Sequence, residues 1–153
     1  MKSFKYLITA ALIGAIFTFS GCSKSNPAPI SVKDSQLAKL SQTWKCTSAK
    51  LQNVDQANYG SFQLTISGTP GNSTFSYTTT GRPTGTKSSP WASSGTFTFV
   101  DADPSTQVTR DDALPVTYSV TSTLLQLTFT YSGAGYDGRV GNVTGTWVYT
   151  FGL

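Results

Sequence analysis

The chain has 153 residues, with eleven Lys and Arg against seven Asp, a formal charge of +4, no Glu and no His. Lacking an imidazole, it has no base for Ser-His-Asp or Cys-His chemistry, and two cysteines alone make no zinc ligand set. No Lys/Arg cluster or binding motif provides a nucleic-acid footprint, and the length suits one folded domain.

Residues 1–21 read as a signal peptide. Lys2 and Lys5 precede an uncharged apolar run from Tyr6 to Phe19. That run falls short of the ~20 apolar residues a bilayer span needs. The run ends in Phe19-Ser20-Gly21-Cys22, which resembles a bacterial lipoprotein box with Phe19 where Leu is commonest. The resemblance implies that Cys22 receives diacylglycerol, that cleavage follows, and that the new amino group is acylated with palmitate-type chains. Each buried methylene adds about 0.8 kcal/mol, so two or three chains hold a protein on a membrane where one exchanges. The expected location is the outer membrane, lipid-anchored, on either face. Removing Lys2 and Lys5 leaves nine Lys and Arg against seven Asp, so much of the basic character belongs to export.

Residues 22–33 read as the lipidated Cys and a linker. "SKSNPAPISV" has three serines, two prolines and no apolar period, and such a spacer stays extended. The domain is expected over 34–153. "DSQLAKLSQ" predicts one or two helical turns with Asp34 or Ser35 as N-cap and Leu37 and Leu40 on one face. With Cys22 lipidated, Cys46 has no partner for an intramolecular disulfide, and it is expected to be buried as a small hydrophobe in a row with Trp44 and Ser48.

From there the sequence alternates with period two, the pattern of half-buried strands. "TWKCTSAKL", "SFQLTIS", "STFSYTTT", "GTFTFV", "TQVTR", "PVTYSVTS", "LLQLTFTY" and "GTWVYTF" make eight predicted strands, separated by turns rich in Gly, Pro, Asn and Asp. Without crossover helices, neighbouring strands must be antiparallel. The prediction is an all-β, eight-stranded up-and-down barrel, with a β-sandwich as the alternative. "SQTW", "SGTF" and "TGTW" are read as strand starts, with Trp44 and Trp147 as core anchors.

The acids favour turns over chemistry. Asp101 or Asp103 with Asp111 or Asp112 would be needed for a paired-carboxylate glycosidase. Asp101, Asp103, Ser105 and Asp112 follow calcium-loop spacing, but Thr106 stands where that loop needs Gly. Asp in "DADP" and "RDDAL" is ordinary turn chemistry. No enzyme activity, cofactor or metal is therefore expected. Two loops, "TTGRPTGTKSSPWASSG" and "SGAGYDGRVGNVTG", carry Arg82, Lys87 and Trp91, and Tyr136, Asp137 and Arg139. Trp91 is expected to pack onto the barrel as a lid.

"LSQTWKCTSAKL", "SGTFTFVDADPSTQVTRDD", "LLQLTFTYSG" and "GNVTGTWVYTFGL" together resemble the small lipocalin-like domains of Gram-negative lipoproteins, over Leu37 to Leu153. Trp44 matches the Trp of that family's Gly-x-Trp, with Gln42 in the Gly position. The resemblance implies a barrel and leaves two functions open. One is binding of a small apolar ligand in the interior, for which Arg82, Trp91, Phe97, Phe99, Tyr118 and Phe129 are the candidate contacts. The other is a structural or interaction role with a filled interior, exercised through the loops. A monomer is expected, with the membrane as its partner through Cys22.

Overall fold

The computed structural model describes residues 29–83, 89–136 and 143–153. Residues 1–21, read from the sequence as a signal peptide, and Cys22, Lys87, Asp137 and Arg139 lie outside the described residues. The chain forms one helix, α1 (Val32–Leu40), then β1 (Thr43–Leu51), β2 (Val54–Asp55), β3 (Gln63–Ser67), β4 (Phe75–Thr80), β5 (Ser94–Phe99), β6 (Gln107–Arg110), β7 (Pro115–Val120), β8 (Leu124–Tyr131) and β9 (Gly145–Gly152). From β3 to β9 each strand is antiparallel to the next, and β1 pairs with both β3 and β9. The register from Lys45↔Gly152 to Leu51↔Trp147 joins the first long strand to the last. Eight strands therefore close into a barrel, and the sandwich alternative is excluded.

Closure follows from the period-two rows. Leu125, Leu127, Phe129 and Tyr131 on β8, and Trp147, Tyr149 and Phe151 on β9, are all buried, while the residues between them are exposed or half-buried. A sheet with one such face must bury it, and curling on itself does so without leaving edges.

Two local expectations are corrected. The helix starts at Val32 and its N-cap is Ser31, whose Oγ accepts from the Asp34 amide at 3.0 Å. Asp34 is committed elsewhere: its carboxylate accepts from Ser31 Oγ at 2.8 Å and from the Gly71 amide at 2.8 Å. The β1 row also breaks. A register shift between Cys46 and Ser48 makes Thr47 an extra residue against β9, so Ala49 is buried and Ser48 only half-buried. Such a bulge switches which side chains face inward. The two-residue β2, unforeseen in the sequence, pairs Leu51↔Val54 across Gln52 and Asn53, both at positive φ.

The ends of the barrel differ. At the base, α1 crosses from β7 to β3 and buries Leu37 and Leu40. Trp44 is fully buried there and donates its Nε1–H to Leu40 O at 2.9 Å. At the mouth, Trp147 repeats the device and donates to Val143 O at 2.8 Å. Each Trp thus bonds the carbonyl four residues upstream, tying the incoming segment over its end of the barrel. Gly145 needs to be Gly: its φ is +137°, and a Cβ would lie 2.7 Å from Gln52 Nε2.

Cys46 is free, buried and inward-facing, as expected. Burial pushes its thiol up to about 11, against an ordinary 9.0. At pH 8 only about one molecule in a thousand would carry the thiolate that reacts. Alkylation of the native protein is therefore expected to run about a hundredfold slower than for an exposed cysteine, and to recover on unfolding. The shift also sets a stability window: its contribution is whole below about pH 9 and is lost as pH climbs through about 11. Rapid labelling of folded protein at pH 8 would contradict this.

Candidate functional site: the barrel mouth

Among the described residues the mouth is formed by 52–62, 81–83, 89–93, 111–114, 132–136 and 143–144, which join the strands at that end. Gly81 starts the second of these at φ +63°, where a Cβ would fall 1.9 Å from Ser61 O. The segment then returns inward at Ser89, Pro90 and Trp91, all buried. Ser89 bridges to Tyr136, with reciprocal backbone bonds of 3.0 and 2.7 Å, so the two long loops are stitched together.

Trp91 fills the opening. Its ring meets Tyr77 at 5.2 Å and Phe129 at 5.7 Å, both edge-on, and is 5% exposed. This is the lid read from the sequence. Beneath it lies Arg110, the last residue of β6, 2% exposed. Its guanidinium sits 4.7 Å from the Trp91 ring centroid and 5.9 Å from that of Tyr131. Nη1 donates to Pro90 O at 2.8 Å, and Nε and Nη2 donate to the Asp112 carboxylate at 2.9 and 2.5 Å. The Tyr136 hydroxyl reaches the same carboxylate at 3.4 Å. One buried cation therefore latches the β4–β5 loop, the β6–β7 turn and the β8–β9 loop.

The electrostatics agree with that geometry. Burial works against the Arg110 charge, but the Asp112 hydrogen bonds and neighbouring groups outweigh it and raise its pKa. The Arg110 hydrogen bonds, opposed by partial burial, hold Asp112 below the usual carboxylate value. Sequence reasoning passed over Arg110 because "TQVTR" reads as short and polar. The available signal was its place two residues after Val108, on the inward row opposite Phe97.

Of the candidate ligand contacts, five line the interior and one does not. Phe97 and Phe99 pack with Phe75 at 5.6 and 5.3 Å, Tyr118 meets Phe99 at 6.3 Å, and Phe129 stacks on Tyr149 at 5.9 Å. Arg82 lies on the lid loop and donates to Trp91 O at 3.0 Å. Tyr149 stacks between Trp147 and Phe151 and has Tyr59 against its edge. The space left between Leu40, Leu64, Trp91, Arg110, Tyr118 and Leu127 is about 30 Å³. A cavity that takes benzene measures roughly 150 Å³. Three buried polar atoms, Tyr59 Oη, Tyr149 Oη and Trp91 Nε1, have no hydrogen-bond partner among the described residues. Outside, a groove of about 380 Å³ runs along Asp112, Leu114, Pro115, Thr130, Tyr131 and Ser132.

The remaining acids are scattered. Lys33 pairs with Asp101, while Asp103 accepts from Ser105 Oγ at 3.0 Å and Thr106 Oγ1 at 2.6 Å. These belong to the β5–β6 turn at the base, whereas Asp111 and Asp112 belong to the β6–β7 turn at the mouth. The structure does not bring the glycosidase pair together, and the calcium-spaced acids face different partners. The chain matches no family model, no curated protein and no solved structure.

Proposed function

We propose that this protein is a lipid-anchored envelope barrel with a filled interior, acting through its mouth loops as a structural or interaction module and performing no catalysis. The observation that carries this reading is the interior itself. Phe62, Phe75, Phe97, Phe99, Tyr118, Phe129 and Trp147 all point inward and are buried, and the inner space bounded by Leu40, Leu64, Trp91, Arg110, Tyr118 and Leu127 measures about 30 Å³. Binding pockets for small molecules run to roughly 300 to 1,000 Å³. The latch of Arg110 on Pro90, Trp91 and Asp112 supports the same reading, since it keeps the mouth shut with Trp91 in place of a guest. The outer groove beside Asp112 and Tyr131 offers a surface to a partner.

Two measurements test the reading. Native mass spectrometry of protein purified from its own envelope should give the mass of the lipidated chain alone, and a stoichiometric apolar adduct would restore the ligand-carrier function. Cys22→Ser should release the protein from the membrane fraction or block its processing. Unchanged membrane retention with unchanged mass would remove the lipoprotein assignment.

A further inference from the structure

We propose that the base of the barrel, the end closed by α1, is seated on the lipid surface, so that the mouth loops face away from it. This rests on the tether reading of Cys22 and adds an orientation to it. Among the described residues five large hydrophobic side chains are exposed: Ile30, Val32, Val54, Leu124 and Leu153. Four of them belong to one end. Ile30 precedes α1 and Val32 is its first residue. Leu124 opens β8 opposite Gly152, beside Leu153. Val54 alone belongs to the mouth, on β2. Scattered exposed apolar residues need no explanation, but four of five on one end of a barrel do.

The chain says what covers them. Cys22 and Ile30 are eight residues apart, and eight residues span at most about 29 Å when fully extended. The point of entry into the domain is the base, so the acyl chains keep this end within that distance of the headgroups. A mouth-down domain would have to run the same eight residues along a wall whose eight-residue strands, at barrel tilt, stand about 20 Å tall. Little length would remain to reach the lipid. The charges of the base also fit an apolar contact: Lys33, Lys39 and Lys45 are balanced by Asp34, Asp101 and Asp103. The seating should therefore change little between low and high salt.

The full chain as purified from its own envelope, reconstituted in vesicles of phosphatidylethanolamine and phosphatidylglycerol, provides the test. Leu124→Cys, Leu153→Cys and Val54→Cys each receive an environment-sensitive fluorophore, with Cys46 too buried to compete. Probes at 124 and 153 should be quenched several-fold more by spin-labelled lipid than the probe at 54, equally at low and high salt. Equal quenching at both ends, or stronger quenching at 54, would overturn the orientation. Flotation of the same vesicles separates the two readings: protein that fails to float refutes the tether, whereas protein that floats with an aqueous probe at 124 refutes only the seating.

Discussion

Trp147→Ala is expected to lower the unfolding free energy by about 3 to 5 kcal/mol, read as a fall in urea midpoint with unchanged slope. Trp147 is 1% exposed, stacks on Tyr149 at 5.4 Å, meets Tyr59 at 5.6 Å, and donates to Val143 O. Truncation removes the indole from a core in which Tyr149 and Phe151 continue the stack, and leaves the Val143 carbonyl without its donor. Trp44→Ala should cost a similar amount, through Leu40 and the base. Domain stabilities are about 5 to 15 kcal/mol, so either change would leave a marginal protein.

The two tryptophans face one interior but stand at opposite ends. Trp44 lies beside Leu64 near the base, whereas Trp147 is registered with Leu51 near the mouth. Residues this far apart with no shared partner add within about 0.5 kcal/mol. The pair Trp44→Phe and Trp147→Phe, which keeps an aromatic ring at each position while removing both indole donors, should therefore be additive. A coupling well above that would place the rings in one cluster and contradict the register. Closure is tested separately by slow amide exchange in β1 and β9, whose ladder from Lys45 to Leu51 is the seam of the barrel.

Seven of the eight wall strands were legible because each carries apolar residues at period two, a local signal that closure merely collects, while β6 showed only as a short polar run between two turns. The seam was not local. Whether β1 meets β9 depends on curvature summed over eight strands, so the sequence left the sandwich open. The bulge at Thr47 was hidden too, since "WKCTS" alternates in sequence while its pairing with β9 slips by one residue. Ser31 had a readable signal, Ser-x-x-Asp ahead of an apolar pair, which the prolines at 27 and 29 masked as linker. β2 lacked one, because Gln52-Asn53 is not the Asn-Gly pair that marks a two-residue hairpin. At the mouth, Trp91 was legible as a lid but Arg110 was not. A cation in a strand reads as solvent-facing until its acceptors, here Asp112 and the Pro90 carbonyl twenty residues away, are brought to it by the fold.

That arrangement sets an asymmetry between the two halves of the latch. Asp112→Ala should destabilise more than Arg110→Met, although both delete the same ion pair. The Arg110 side chain is 1% exposed and that of Asp112 is 31% exposed. Without the carboxylate, a guanidinium is stranded among Trp91, Tyr131 and Pro90, and removing one partner of a buried pair costs about 3 to 5 kcal/mol. Without the guanidinium, Asp112 turns to water and methionine fills the apolar part of the space, so the loss should be nearer 1 to 2 kcal/mol, mostly the unpaired Pro90 carbonyl. The double variant should then be no less stable than Asp112→Ala alone. Acid supplies a second reading of the same bond. Because Arg110 depresses the Asp112 pKa, the stabilisation is complete above the ordinary carboxylate value of 3.8 and is lost as pH falls through the lower folded value. Exchange at the Ser89 and Tyr136 amides, which close the lid seam, should accelerate in that acid range in the native protein and already at neutral pH in Asp112→Ala. Equal losses for the two single variants, with lid amides unchanged in both, would mean that Arg110 is held by packing alone and that the mouth has no electrostatic latch.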